Sequence, residues 1–381
     1  MKILHTSDWH LGRSFHRQGL LDAQGVFVDH LVDTARRERV DLVAISGDVY
    51  DRALPPVDAV RLANEALGRL AGLGVPVVIT AGNHDSARRL GFAADLIAAA
   101  GVHLRTDPER AHVPVLCEDR HGPVAVYGLP YLEPELLREP WKLHERSHVA
   151  VVSEAMGRVR HDLAARPGTR SVVLAHAWVT GAQASDSERD ISVGGLAQVP
   201  SSVFAGMDYV ALGHLHGRQQ VSERIRYSGS PLAFSFSEAG HTKGSWLVDL
   251  GADGVESAEF VEAPVPRRLA VLRGRLDDLL ADPSHASLED CWLQVTLTDP
   301  QRPRAAMERL RSGRFPHTLV LGFAPDAAEA VRRAAPQVAG RSDRQILDDF
   351  VTAVRESPAD EAERLLLQAA CDACVSAQVE A

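Results

Sequence analysis

Seven side chains able to bind a metal ion stand where short apolar runs give out: Asp8, His10, Asp48, Asn83, His176, His214 and His216. Lys2-Ile3-Leu4-His5 leads into Asp8-Trp9-His10, and Leu42-Val43-Ala44-Ile45-Ser46 into Gly47-Asp48. Val75-Pro76-Val77-Val78-Ile79-Thr80-Ala81 leads into Gly82-Asn83-His84-Asp85, Ser171-Val172-Val173-Leu174-Ala175 into His176, and Tyr209-Val210-Ala211-Leu212 into Gly213-His214-Leu215-His216. Carboxylate, amide oxygen and imidazole nitrogen, with no thiolate, suit divalent Mn, Fe, Zn or Mg rather than a structural zinc. One tetrahedral ion cannot use all seven. Two ions sharing a carboxylate can, and a pair roughly 3.5–4 Å apart is a device for in-line displacement at phosphorus.

The elements that must position these groups read as βαβ units. Each apolar run is short and rich in β-branched residues, as buried strands are, and loops at strand ends are where open α/β sheets place their chemistry. Between the strands, helices are expected over about Ala23 to Glu38, Val57 to Ala71 (entered through Pro55-Pro56) and Ser86 to Ala100. The last starts directly after Asp85, so its N-terminal N–H groups are expected to face the site. Val124–Tyr127 and Ser171–Ala175 add strands, and Arg226–Pro231 with Gly244–Leu250 is expected to complete a second sheet. The fold class is α/β, a two-sheet sandwich. The polar segment Gly181 to Gly195 is either a loop over the site or a surface excursion.

Beyond about Gly251 the character changes. A domain over residues 1–262 gives way through Glu262-Ala-Pro-Val-Pro-Arg-Arg268 to a small α+β capping domain (268–335) and a helical tail (342–376). In the tail Ile346, Leu347, Phe350, Val351 and Val354 form one apolar face, and after Ser357-Pro358 a second helix carries Leu365, Leu366 and Leu367. These faces either dock a partner or fold back onto the capping domain.

At 381 residues and 45% hydrophobic content the chain can bury a sizeable core, and no apolar stretch approaches the roughly 18 residues of a membrane span. Met1-Lys2-Ile3-Leu4 runs into polar chemistry rather than a signal-peptide apolar region, so a cytoplasmic location is expected. Four scattered cysteines make no disulfide framework, and Cys371 with Cys374 reads as two small residues on a helix. A formal charge of −10 argues against binding nucleic acid through the bulk field, and if the substrate is a polyanion, bound cations must offset much of the site's own negative charge.

The motifs D-x-H, G-D-x-x-D, G-N-H-[DE], a lone His after a strand and G-H-x-H occur in order and unaltered, and the arrangement resembles the calcineurin-like metallophosphoesterase superfamily. Asp8-Trp9-His10-Leu11-Gly12, Gly47-Asp48-Val49-Tyr50-Asp51, Gly82–Ser86, Ala211–His216, Tyr227–Pro231 and Ser235-Phe236-Ser237-Glu238 are similar to its SbcD branch. The resemblance implies one ion on Asp8, His10, Asp48 and His216 and another on Asp48, Asn83, His176 and His214, with Asp48 bridging. It also implies two divalent ions, manganese first among them. The implied activity is 3′-to-5′ exonuclease and single-strand endonuclease action on DNA, by a homodimer working with an SbcC-type SMC-like ATPase subunit.

Beside the ligands, His84 is surplus to both shells and suits a proton donor to a departing alkoxide. Asp85 and Asp51 either orient imidazole and tune charge or cap their loops. Arg13, His16 and Arg17 either meet DNA phosphates or form a solvated basic turn.

Overall fold

A strand that is apolar throughout needs cover on both faces, because successive side chains point to opposite sides of a sheet. The computed structural model describes residues 1–192, 197–324, 343–355 and 358–379. The side chains of Val354, Cys371 and Cys374, residue Ser357, and parts of the expected insert, capping domain and tail lie outside the described residues.

Strands β1 (Lys2–Thr6), β2 (Leu42–Ser46), β3 (Val77–Thr80) and β4 (Val102–Arg105) pair in parallel, each with the next. In a second sheet β5 (Val115–Asp119) runs antiparallel to β6 (Gly122–Leu129), and β6, β7 (Arg170–His176), β8 (Tyr209–Gly213) and β9 (Ile225–Tyr227) are parallel. Strands β10 (Gly244–Gly251) and β11 (Gly254–Glu262) form a hairpin. That hairpin corrects the expectation for Gly244–Leu250: β10 pairs antiparallel with β1, Ile3 opposite Val248, and extends the first sheet. Val248 and Leu250 thereby join the core between the sheets.

Period-two alternation sorts the strands into three cores. Ile3, Leu42, Ala44, Val78, Val126, Val172, Leu174 and Ala211 meet between the sheets. Leu4, Val43, Ile45 and Ile79 face the other way, against Phe27 and Leu31 of α1 (Leu21–Glu38) and Ala59, Ala63 and Ala66 of α2 (Val57–Ala71). On the far side Tyr127, Val173, Ala175 and Leu212 pack on Val151, Ala155, Met156 and Val159 of α3 (His148–Ala164). The order is helix, sheet, sheet, helix.

The single helix expected over Ser86 to Ala100 is a second correction. Two four-residue turns, Ala87–Leu90 and Ala94–Ile97, and a 3-10 turn, Ala98–Ala100, replace it, because Ala93 takes a left-handed φ of 58° and Gly91 packs on Thr106. Turns this short sum too few peptide dipoles to direct a helix terminus at the site.

The chain divides into two compact units, Met1–Val271 with Asp290–Trp292, and Leu272–Glu289 with Leu293–Ala381. The second unit contains the strand Thr318–Phe323, parallel to the strand Trp292–Leu297 that belongs to this unit from Leu293 on, and short helices Leu276–Ala281 and Ala306–Ser312. Leu276, Leu279, Leu293, Val295, Leu310 and Phe315 are buried there. Its last helices are Asp343–Arg355 and Glu361–Val379. Asp360 and Glu363 form a reciprocal capping box, Glu363 N–H to Asp360 Oδ1 at 2.8 Å and Asp360 N–H to Glu363 Oε2 at 2.9 Å. Phe350, Leu365 and Leu366 are exposed at 62%, 69% and 72%.

Candidate metal centre

Four of the seven candidate ligands hold a backbone that L-residues rarely adopt: Asp8 (φ 53°), His10 (45°), Asp48 (48°) and His214 (100°). Such conformations persist only where the surroundings over-determine them. Here the loops after β1 and β2 stay hydrogen-bonded past the strand ends, Asp8 N–H to Gly47 O (3.1 Å), His10 N–H to Asp48 O (3.0 Å) and Leu11 N–H to Val49 O (2.9 Å). Buried Gln24 of α1 locks the first loop: its amide donates to His10 O (2.7 Å) and Trp9 O (3.1 Å) and accepts from Gly12 N–H (3.0 Å). Two motif glycines let the strand ends close. A Cβ on Gly82 would lie 2.1 Å from Asp48 Oδ1, and one on Gly213 would lie 1.8 Å from Ser46 O.

The side chains converge in two halves. Asp8, His10 and His216 each offer one atom within 4.8 Å of the others, and the His10 and His216 Nε2 atoms are 3.1 Å apart. In the second half His176 Nε2 lies 2.9 Å from Asn83 Oδ1, and His214 Nδ1 lies 3.2 Å from the same oxygen. Asp48 Oδ2 stands between the halves, 3.6 Å from His10 Nε2 and 3.4 Å from His176 Nε2. All seven are buried except Asn83, which is half-buried but whose Nδ2 has no hydrogen-bond partner.

Buried carboxylates facing buried imidazoles perturb one another. Burial pushes the Asp8 carboxyl up to about 6 against the pull of His176 and His216, and it lowers His10 to about 3. Burial would raise Asp48 too, but His176 and His10 hold it below the ordinary carboxylate range. The facing Asp48 lifts His176 to about 9 although burial opposes this. Two buried carboxylates, four buried imidazoles and the Asn83 amide oxygen turned on one another form a donor set that divalent cations take. The cluster fits a dinuclear divalent metal site.

His84 sits at the edge of this cluster. Its N–H donates to Asp48 Oδ1 (2.8 Å), and its ring meets His10 edge to face at 4.6 Å. Nδ1 lies 2.9 Å from Asp51 O; a carbonyl only accepts, so Nδ1 carries a proton and Nε2 is the ring nitrogen not committed to the backbone. One ring nitrogen also groups with His10 and Asp48 within 4.8 Å, closer to the ligands than the sequence implies. Asp85 spends its carboxylate on backbone, accepting from Gly82 (2.9 Å), Tyr50 (2.9 Å) and Val49 (3.1 Å) N–H groups, which ties two ligand loops together. Burial, with the nearby Asp48 charge, raises it to about 7. Asp51 lies 3.6 Å from both His10 Nδ1 and Arg13 Nη1, and these outweigh burial to keep its carboxyl low.

Arg13 is not free in solvent: it stacks on Phe234 at 4.6 Å and donates to Ser187 O at 3.1 Å. His16 and Arg17 form the exposed tip of the hairpin Ser14–Phe15/Gln18–Gly19. Sequence reasoning missed Gln24, Ser187, Glu188, Glu238 and Lys243, all of which touch the ligand loops. Only the Ser235–Glu238 stretch and the polar segment Gly181 to Gly195 pointed to any of them.

The profile of the calcineurin-like phosphoesterase family matches residues 1–218, more than half of the chain. The chain belongs to that family. A second profile, SbcD_C, described as the type 5 capsule protein repressor C-terminal domain, matches residues 265–355, so the likeness to SbcD extends to both parts of the chain. Among solved structures, a Thermus thermophilus protein has 14% identity and a TM-score of 0.40, covering 69% of this chain and 99% of its own. A dimetal phosphatase from Danio rerio has 14% identity and a TM-score of 0.37 over 69% and 99%. GAP50, the anchor in the inner membrane complex of Plasmodium, has 9% identity and a TM-score of 0.37 over 86% and 98%. No helix among the described residues is long and apolar enough to cross a membrane.

Proposed function

We propose that this member of the family is a DNA nuclease, a 3′-to-5′ exonuclease on double-stranded ends and an endonuclease on single strands, acting in repair and recombination. The observation that carries the reading is the SbcD_C match, because the ligand cluster by itself would serve a small-substrate phosphoesterase equally well. Asp8, His10, Asp48 and His216 would hold one divalent cation, and Asp48, Asn83, His176 and His214 the other, with manganese the proposed metal. Two such cations supply charge against the phosphate and lower the pKa of water. His84 protonates the leaving oxygen from Nε2, its ring oriented by Nδ1–H on Asp51 O. Asp51 steadies His10, and Arg13, His16 and Arg17 are proposed to meet DNA phosphates, which the exposure of His16 and Arg17 supports.

The proposed partner is an SbcC-type SMC-like ATPase docked on the two C-terminal helices. Exposed Phe350, Leu365 and Leu366 support that, since apolar groups so open to water invite cover. Pairing of two copies is also proposed, supported by exposed Leu54, Val57, Phe92 and Leu96 on neighbouring elements that the Arg89 to Ala53 O hydrogen bond (2.9 Å) ties together. The protein would act in the cytoplasm on nucleoid DNA. The test offers manganese-supplemented protein end-labelled linear duplex, single-stranded DNA and a small chromogenic diester in parallel. Cleavage of both DNAs is expected; turnover of the diester alone would replace the reading with a small-substrate phosphoesterase.

A further inference from the structure

One buried ion pair belongs to neither half of the metal centre. Glu238 and Lys243 are 1% and 4% exposed, and Lys243 Nζ lies 2.5 Å from Glu238 Oε2. A pair this deep costs free energy unless its remaining donors and lone pairs are also used. They are used on His216. Lys243 Nζ donates to the His216 carbonyl (2.9 Å) and to Ser230 Oγ (3.0 Å). Glu238 Oε1 accepts from Ser187 Oγ (2.5 Å) and from Phe234 N–H (3.3 Å), and Ser187 Oγ lies 2.5 Å from His216 Nδ1.

Proton counting fixes the direction of this chain. A carboxylate beside an ammonium only accepts, so the single hydroxyl proton of Ser187 goes to Glu238, and the hydroxyl oxygen accepts from His216 Nδ1–H. The bare lone pair is then on Nε2, the atom that faces His10 Nε2 at 3.1 Å. Glu188 fixes the same residue by its main chain: Oε1 accepts from His216 N–H (2.7 Å), while Oε2 accepts from Ser185 N–H (2.8 Å) and Oγ (2.6 Å). Ser187 and Glu188 come from the polar segment between β7 and β8, so that segment closes over one half of the centre.

We propose that Glu238 and Ser187 are positioning residues for His216: the chain Lys243, Glu238, Ser187, His216 holds the imidazole in its Nδ1–H tautomer and aims Nε2 at the cation shared with Asp8 and His10. The inference rests on the two-cation reading above. Partners of this kind typically change metal affinity about 10–100-fold when removed.

The experiment uses the full chain and three variants. Ser187→Ala removes the link, Ser187→Thr keeps the hydroxyl, and Glu238→Met with Lys243→Met replaces the pair by apolar groups without leaving an orphan charge. Nitrogen-15 histidine spectra of the metal-free protein report the tautomer, and titration with manganese chloride reports each site. Expected are a single Nδ1–H form and two sites in wild type and Ser187→Thr. In Ser187→Ala and the double variant, mixed tautomers and one site weakened about 10–100-fold are expected, the other being unchanged. Wild-type spectra and isotherms from both of those variants would overturn the proposal. A wild-type isotherm lacking two sites would instead overturn the two-cation reading, and the tautomer spectra would still judge the hydrogen-bond chain by themselves.

Discussion

Gly213→Ala tests whether the centre depends on how closely the two sheets approach at their strand ends. Gly213 is the last residue of β8, paired with His176 in register and followed by His214. An added methyl would lie 1.8 Å from Ser46 O, at the end of β2 in the other sheet, and 3.0 Å from His176 Nδ1. The obstructing atom is backbone, so no rotamer change relieves it, and the strand ends must part by more than an ångström. Overpacking typically costs about 1–3 kcal/mol, and a backbone obstruction belongs at or above the top of that range. The melting temperature should fall by roughly 2–4 °C per kcal/mol. Ser46 O is also the partner of His176 Nδ1 at 3.0 Å, so the shift turns a candidate ligand, and metal affinity should drop about 10–100-fold. Gly68→Ala is the control: nothing lies within 4 Å of the added methyl on exposed Gly68 of α2, where alanine should stabilise by about 0.5–1 kcal/mol. Thermal melting and metal titration on both variants decide it. A Gly213→Ala protein that melted and bound manganese like wild type would refute the reasoning.

Asp48→Ala should empty both halves of the centre while His10→Ala weakens one, read by elemental analysis; two ions per chain in Asp48→Ala would show that the shared carboxylate is misassigned. His84→Ala should keep its metal and lose about 10²–10⁴-fold in DNA cleavage, and loss of metal along with activity would make His84 a ligand. Asp119→Asn addresses stability. Arg170 and the Met1 ammonium (2.6 Å away) outweigh burial and hold this carboxyl well below its ordinary value, so its contribution is full above about pH 4 and fades as the pH falls further. Because Arg170 keeps carbonyl acceptors on Leu250, Gly251 and Gly122, the variant should lose roughly 2–4 kcal/mol at neutral pH and show a shallower acid slope. Denaturant melts at pH 7 and pH 3 check both, and parallel losses at the two pH values would contradict the sign.

The parts of this fold legible in the sequence are those with local signals. Short β-branched runs ending in Asp, His or Asn located seven strand-end residues that the structure brings together, and the amphipathic spacing of Val57–Ala71 located α2 to the residue. What was not legible depends on distant partners. Nothing near Gly244–Gly251 says that it pairs with residues 2–5, because that choice is made by the inter-sheet core. Ser86 to Ala100 reads as helix by composition, yet the packing of Gly91 on Thr106 and the left-handed Ala93 override that propensity. Gln24 looks like any polar residue on an amphipathic helix until its amide is seen holding two carbonyls of the first ligand loop. Ser187, Glu238 and Lys243 are separated from His216 by 22 to 29 positions, and only their convergence gives them meaning.

The same geometry implies that the metal-free protein is folded but less stable than it could be. Three cores of apolar side chains close the sandwich, so the fold is expected to form without cations. The centre itself opposes folding: positive φ at four residues, and buried Asp8 and Asp48. Cations that bind only this arrangement should recover that free energy, by about 2.7 kcal/mol per site at a free concentration a hundredfold above Kd. Melting in manganese against melting in excess chelator should therefore differ by roughly 5–10 °C per site, with the chelated protein still giving a cooperative transition. The Asp48→Ala variant should melt at one temperature in both conditions. If the chelated protein were unfolded, the cores would be insufficient and the centre structural; if wild type showed no shift, the seven residues would not be a cation site.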